Sequence, residues 1–564
     1  MKIALIHATA GAGHFKAAEA VFKTLAYAPS KKIYSRLYEC FPFFKKTSEW
    51  FYALVAKNRV LFSKMTHFLW GLDLEPPTFQ IISWFFIKAL ALIYFFAFLS
   101  FAGQILGLVG SHGIIPANQY LKLAHEYYGW NAFFKLPSLF WINASDIMLM
   151  LVTWGGVFIS LLLLFGIRPV WCLFSLWLFY FSLINIGQDF TSFQWDSLLL
   201  EVGFLSLFYV PWQNKRPGAG INFWNPPAVI RLLLCLVLFR LVYFSGMVKL
   251  RSGDLTWRNL TALTYHYETQ PLPTCLAWYV HHFPLWFHKL SCLLMFGFEI
   301  VVPFFIFMPR RLRLFACTAL LIFQMLILLT GNYCFFNLLA ISLCLLLIDD
   351  KTCGTFLKGF APRKVSQDSA KTAPKWVIWS VLTLTAVMLS AQVPKVIMNY
   401  RGSWLQWFEP VREKIRPFHS FNQYGLFAVM TTQRQEVILE GSHNRVTWQP
   451  YEFKYKPGDP LKKPDFNIPF QPRLDWQMWF AVLGTYQESP WMASLCQNLL
   501  RGSKPVLKLF KEVPFQNAPP RYLRAVVYNY HFSDPETRKK TGVWWIREKA
   551  GLFMPVMTLR EKSS

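Results

Sequence analysis

Apolar residues come in long, nearly uninterrupted runs between Trp84 and Val393, and the polar residues between those runs are concentrated in short connectors. The runs cover 84–109, 146–166, 169–186, 196–212, 228–248, 289–308, 312–330, 333–348 and 376–393. Each lies near the roughly 20 residues that a helix needs to cross the hydrocarbon of a bilayer. Ahead of them, Lys2–His7 reads as a strand, Ala8–Gly13 as a tight loop and His14–Leu25 as a helix. The basic, aromatic stretch 41–70 that follows reads as a segment lying on an anionic membrane face. After Pro394 the pattern changes to alternation: 424–455 is rich in β-branched and aromatic residues, with turns at Gly441–Asn444 and Pro457–Asp459, and predicts a β-hairpin or small sheet. Residues 473–500 predict helix and 521–532 a final strand. The expected fold is a polytopic α-helical membrane protein of about nine spans, followed by an outer-side α+β domain with a β-rich part. Its divisions fall at 1–80, 81–395, 396–535 and a basic, mobile tail at 536–564.

Composition agrees: 54% of the 564 residues are hydrophobic and only 15% charged, against about a quarter in soluble globular chains. The net charge of +27 raises the question of nucleic acid. However, the Lys and Arg residues sit mostly in the short connectors, where they set topology, so no nucleic-acid partner is expected. Arg168, Lys215–Arg216, Arg310–Arg313 and the cluster 351–375 fall in every second connector, together with the N-terminal region. The positive-inside rule makes that side cytoplasmic. The loops 110–145, 187–195, 249–288 and 331–332, and everything after Pro394, fall on the other side, as do the acceptor sequons at Asn143 and Asn259. The ten cysteines include no CxxC pair, so neither a disulfide framework nor a zinc ribbon is expected. The first apolar stretch is short and followed by GAGH rather than a cleavage site, so no cleavable signal peptide is expected.

Ionisable residues within spans are functional candidates by default, which singles out Asp196, Glu201, Arg240 and Glu299. Asp196 and Glu201 lie about 140° apart on a helix, so they do not form a carboxylate pair. Each is expected to meet a basic residue or a helix end, and Arg231, Arg240 and Glu299 are expected to form interhelical ion pairs. Lys249 stands at the edge of its apolar run, either snorkelling to the interface or serving as a partly desolvated base. The loop after it is dense in polar and aromatic side chains: Trp257, Thr264, Tyr265, His266, Tyr267, Glu268 and Gln270 are candidates for partner contact, as are Trp476 and Trp479 near the C-terminus. Those two, like Trp404, Trp407 and Trp491, form either a partner surface or the core of the outer domain. His266, His281, His282 and His288 lack ligand spacing, and no metal or cofactor is expected.

The opening HATAGAGHFKAAEA resembles the diacylglycerol glycosyltransferases of the monogalactosyldiacylglycerol synthase type. That resemblance implies an anion or lipid-head role for Gly11, Gly13 and His14, but it stops near Leu74, before any sugar-nucleotide half. From about Ile81 to Asp534 the chain resembles the lipase maturation factor family, carried by SFQWDSLLLEVGF (192–204), FSGMVKLRSGDLTWRNLTALTYHYETQPLPT (244–274), LTGNYCFFNLL (329–339), FNQYGLFAVMTTQR (421–434), YEFKYKPGD (451–459) and PRLDWQMWFAVLG (472–484). The resemblance implies a multi-pass protein of the endoplasmic reticulum membrane, or of the inner membrane in a bacterium, that assists the folding of exported lipases or related clients. YFSGMVKLRSGDLTW is also similar to the lysine-bearing stretch of the vitamin K-dependent γ-glutamyl carboxylases and their bacterial transmembrane relatives, which implies Lys249 as a base on a quinol.

Three readings follow. A maturation factor, without bond-making chemistry, meets its client through 249–288 and the C-terminal domain. A membrane enzyme uses Lys249 as base. A lipid-binding protein acts through the glycosyltransferase-like N-terminus.

Overall fold

The computed structural model describes residues 32–71, 77–211, 224, 226–356 and 422–559, with short stretches between 375 and 419. The chain divides into two compact units, residues 1–76 with 308–312, and residues 77–307 with 313–564.

In the first unit, α1 (Lys32–Cys40), α2 (Pro42–Lys57) and α3 (Arg59–Trp70) follow one another with single-residue breaks. Phe43, Trp50 and Phe68 are exposed and interleaved with Lys45, Lys46 and Lys64. Basic and aromatic side chains mixed on exposed helices are the pattern of an interfacial segment. The strand and helix expected before Leu25, and with them Gly11, Gly13 and His14, lie outside the described residues.

The second unit is a helical bundle capped by a mixed α/β region. Its helices include α4 (Gln80–Ala102), α5 (Asp146–Leu164), α6 (Pro169–Ile186), α7 (Gln194–Tyr209), α8 (Ala228–Arg251), the short connector helix α9 (Ala262–Thr269), α10 (Leu285–Phe307), α11 (Arg310–Thr330, which belongs to this unit from Arg313 on) and α12 (Phe336–Leu345). Among the described residues, α4, α5, α6, α8, α10 and α11 are long and apolar enough to cross a membrane. The expected nine spans are therefore not all realised as such. The run 196–212 becomes α7, which at 16 residues is about 24 Å long, because the backbone turns extended at Val210 ahead of Pro211. The run 333–348 becomes α12, only 10 residues long, because Asn332 just before it is held in the C-terminal region by the carbonyl of Asp465 and the N–H of Asn467. Both short helices still run between the two ends of the bundle. Tyr209, at the end of α7, bonds Ser83 in the first turn of α4, and Asp350, just past α12, caps α4 by accepting from the N–H groups of Gln80 and Ile81 at 2.7 and 2.9 Å. Half of the expected span 376–393 lies outside the described residues, and the described positions between 376 and 386 are helical.

The core is built around α4, whose Phe86, Leu90, Tyr94, Phe98 and Phe101 are all buried. Helices in a bilayer gain nothing from burying one apolar surface rather than another, so close packing must come from small residues at the contact. Gly156 of α5 is such a residue: a Cβ there would sit 2.3–2.5 Å from the Phe98 ring.

The C-terminal region contains a four-stranded antiparallel sheet of order β2–β1–β5–β6, from β1 (Arg434–Ser442), β2 (Gln449–Pro450), β5 (Tyr522–Phe532) and β6 (Trp545–Met557). A two-stranded pair, β3 (Glu452–Phe453) with β4 (Phe510–Glu512), and helices α13 (Arg473–Ala481) and α14 (Pro490–Leu500) complete it. Two expectations are corrected here. The alternating stretch 424–455 is not a self-contained hairpin: β1 meets β2 at only two positions, Glu440–Pro450 and Gly441–Gln449, while it pairs with β5 along its whole length from Arg434 to Ser442. Alternation specifies a strand, not its partner. The basic segment after 536 is not a mobile tail, because β6 pairs with β5 from Leu523 to Phe532 and buries Trp545 and Met554. Its exposed Arg547, Glu548 and Lys549 belong to a stretch of the strand that is open to solvent on both faces. Ending the chain after Gly542 is therefore expected to leave β5 as an open edge and drive self-association, seen as a shift to aggregates in size-exclusion chromatography of the detergent-solubilised protein.

The loops expected on one side of the bundle do gather at one end, against the C-terminal region. Gly113 and Ile114 accept from Asn498 and Ser494, Asp189 and Phe190 from Gln477 and Arg473, and Thr269 from Trp479.

Candidate functional site

Three buried charge clusters join the bundle to the C-terminal region. Asp196, in the first turn of α7, accepts from Arg473 of α13 at 2.8 and 2.9 Å and from Tyr180 of α6. The Asp196 and Arg473 side chains are fully buried, and the guanidinium lies over the Phe101 ring at 3.8 Å. Glu201, further along α7, pairs with Arg240 of α8 at 2.6 Å and accepts from the Tyr424 hydroxyl at 2.6 Å and the Asn422 N–H at 3.2 Å. Arg434, opening β1, donates to the carbonyls of Glu268, Gln270 and Pro271 and to Glu436, which also pairs with Lys456 at 2.9 Å. Glu268 in turn accepts from the Phe532 N–H at 2.9 Å and meets His531 at 3.0 Å. The expected separation of Asp196 and Glu201 holds, since each meets its own arginine. Arg231 forms a different contact from the ion pair expected of it, donating to the Leu346 carbonyl at 3.3 Å.

Lys249 does not snorkel. It lies in the last turn of α8, buried, and its Nζ donates to both oxygens of Glu299 at 2.7 and 2.8 Å and to the Ser245 carbonyl at 3.2 Å. An ammonium has three donors, and all three are engaged. Glu299 is carried on a π-helical turn, Gly297–Val301, within α10. Gly246, one turn before Lys249, lets that turn approach: a Cβ there would be 2.9 Å from the Glu299 Cβ and the Ile300 side chain. Widened turns of this kind concentrate at functional sites.

Behind the pair lies a cavity of about 290 Å³ between α8, α9, α10, α11 and α12. Its walls are mostly apolar, with a few polar groups: Lys249, Glu299, His266, Gln324, Tyr333 and Asn337. Tyr333 donates to Gln270 Oε1 at 2.9 Å, Gln270 Nε2 donates to the Thr330 carbonyl at 2.8 Å, and His266 Nε2 lies 3.3 Å from the Tyr333 oxygen. Burial, and secondarily the charge of Lys249, pushes His266 down from the usual 6.5 to about 4. The stability it contributes as a neutral ring is therefore present above pH 6.5 and falls as the pH drops from 6.5 toward 4, because the unfolded ring takes up a proton that the folded one refuses. Thermal unfolding against pH is expected to show this slope, and His266→Gln to flatten it.

Of the loop residues singled out as partner contacts, Trp257, Tyr267, Glu268 and Gln270 are buried, Thr264 is half-buried and Tyr265 is exposed. Trp476 and Trp479 are buried too: Trp476 packs edge-on against Trp195 at 4.7 Å, and Trp479 donates to the Thr269 carbonyl at 2.9 Å. These side chains are joints between bundle and cap. Arg473, Arg434, Asn337 and Gln324 were not anticipated. The available signal was two intramembrane carboxylates with no basic residue at helical spacing on their own helix, which demands partners from elsewhere. Among the described residues, no group of three or more His, Cys, Asp or Glu is placed to hold a metal ion.

The family model for the lipase maturation factor transmembrane domain matches residues 81–355, and that for the lipase maturation factor C-terminal domain matches residues 420–555. Lipase maturation factor 1 of Mus musculus is 35% identical over 525 residues, covering 86% of this chain and 89% of its own length. Lipase maturation factor 1 of Homo sapiens is 34% identical over 522 residues, and lipase maturation factor 2 of Gallus gallus 34% over 586, covering 86% and 84% of this chain and 90% and 81% of their own lengths. No solved structure matches. Residues 1–80 lie outside both family models, and the glycosyltransferase resemblance finds no support in these comparisons. Neither does the carboxylase-like reading of Lys249. Similarity that runs through the helical bundle and its C-terminal cap alike places this multi-pass membrane protein in the lipase maturation factor family.

Proposed function

We propose that the chain assists the folding and assembly of exported lipases or related secreted clients, acting as a membrane-embedded chaperone rather than as an enzyme. The observation that carries this reading is the one-third identity to named lipase maturation factors across both bundle and cap. The engagement of all three Lys249 donors within the protein supports a role without bond-making chemistry. Following the distribution of basic connectors, the N-terminus lies in the cytoplasm and the cap on the lumenal or periplasmic side, in the endoplasmic reticulum membrane of a eukaryote or the inner membrane of a bacterium. The client meets the exposed apolar side chains of the 249–288 loop, Tyr265, Leu276, Tyr279 and Phe283, because exposed apolar residues grouped on one loop are where a partly folded chain gains contact.

The test is to express the chain in cells lacking their own maturation factor and to measure the activity of a co-expressed secreted lipase. Recovery of secreted activity, diminished when Tyr265 and Tyr279 are both replaced by serine, is the expected result. Unchanged lipase activity with a correctly folded, membrane-inserted chain would sink the reading.

A further inference from the structure

The cavity behind Lys249 has a chemistry that client folding does not use. Two residues that line it each carry a buried polar atom, His266 Nδ1 and Asn337 Oδ1, with no hydrogen-bond partner among the described residues. Asn337 is fully buried, and its amide nitrogen is already committed to Gln324 Oε1 at 2.8 Å. The polar network also sets the tautomer of His266. The Gln270 amide donates to the Thr330 carbonyl, so its Oε1 is free to accept the Tyr333 proton. The Tyr333 oxygen is then the acceptor for His266 Nε2–H, which leaves Nδ1 as a bare lone pair. Both unpartnered atoms are thus acceptors. A buried acceptor without a donor is destabilising, so the cavity is built to receive donors.

Charge narrows the ligand further. Among the described residues, the only cation and the only carboxylate lining the cavity, Lys249 and Glu299, neutralise one another at 2.7 Å. A charged head group would enter a low-dielectric site without a counter-ion, at a cost that a hydroxyl does not incur. The cavity also has a side entrance. Leu294 of α10 and Leu326 of α11 line it and are at the same time about half exposed, at 52% and 53%. The neighbouring Leu290, Leu293, Ile322 and Met325 are exposed along the same two helices, both of which are long and apolar enough to cross a membrane. That entrance therefore opens toward lipid. At about 290 Å³, the cavity sits at the small end of ligand sites, enough for a polar head and the start of one chain whose remainder leaves through the entrance.

We propose that this cavity is a binding site for an uncharged lipid with a hydroxyl-bearing head, whose hydroxyls donate to His266 Nδ1 and Asn337 Oδ1 and whose chain passes between Leu294 and Leu326 into the bilayer. The site does not depend on the client assignment: its lining comes from α8 to α12, Trp257, Val280, Tyr333 and the Leu426–Phe427 segment, and it is tested without a client.

The test uses the full-length protein in phosphatidylcholine nanodiscs with a monoacylglycerol carrying a diazirine in its acyl chain. Expected are saturable photolabelling of peptides within α10 and α11 and competition by unlabelled monoacylglycerol. Loss of one hydrogen bond in Asn337→Leu is expected to weaken binding about three- to tenfold. Leu294→Trp, which fills the entrance from the lipid side without touching the polar groups, is expected to suppress labelling while the protein elutes as a single folded species. An analogue with both hydroxyls methylated, which has the same chain but no donor, is expected not to compete. Equal competition by the methylated analogue, or labelling that both variants leave unchanged, would overturn the proposal.

Discussion

Arg473→Met is expected to destabilise the protein by about 3–5 kcal/mol, because it leaves Asp196 as a fully buried carboxylate without a counter-ion. The loss is not confined to the ion pair. Arg473 Nη1 also donates to the Phe190 carbonyl, so the same substitution unfastens the connector between α6 and α7 from the cap. Chemical unfolding in detergent should show the lower stability, and limited proteolysis should cut between bundle and cap sooner than in the parent. Adding Asp196→Asn removes the orphaned charge while keeping an acceptor for the Tyr180 hydroxyl, and the double variant should recover most of the loss, since replacing both members of a buried pair is often near neutral. A single variant within about 1 kcal/mol of the parent, as for an ordinary surface substitution, would mean that this ion pair does not fasten the cap.

A second result of similar size concerns Lys249. Lys249→Met is expected to cost about 3–5 kcal/mol, again by stranding a buried carboxylate, here Glu299. Lys249→Met combined with Glu299→Gln removes both charges and should restore stability. If Lys249 serves only to hold α8 against the π turn of α10, the double variant will also restore the secreted lipase activity measured in cells. If stability returns and activity does not, Lys249 acts in the function itself, and the reading of a protein without bond-making chemistry falls. The comparison separates the two because folding and function are read in the same pair of proteins.

Much of this architecture was legible in the residue pattern, for an identifiable reason. A bilayer cannot satisfy backbone polar groups, so long apolar runs have little choice but helix. Six of the nine expected spans accordingly appear as long apolar helices among the described residues. The strands at 434–442 and 522–532 were visible because alternation is a local property. The sharing of one end by the loops 110–145, 187–195, 249–288 and 331–332 followed from counting crossings.

What the pattern left open is what depends on partners distant in the chain. Asp196 is 277 positions from Arg473, and Glu268 is 263 from His531. No spacing rule reaches that far, because such pairs are selected by packing geometry. The same limit explains why β6 read as a basic tail, its charged residues being visible in sequence while its pairing with β5 was not. It also explains why Trp257 read as a partner contact, and why Trp476 and Trp479 were left between partner surface and core: side-chain type shows that a residue must bury area, but only the tertiary structure decides against what. For this protein, then, the sequence by itself determined the class of fold, the helices and the family. The tertiary structure decided which buried charges meet, that Lys249 is held by Glu299, and that a mostly apolar cavity lies behind them. The physical reason is that solvent selects helices and strands one segment at a time, whereas ion pairs and cavities exist only once several segments are packed together.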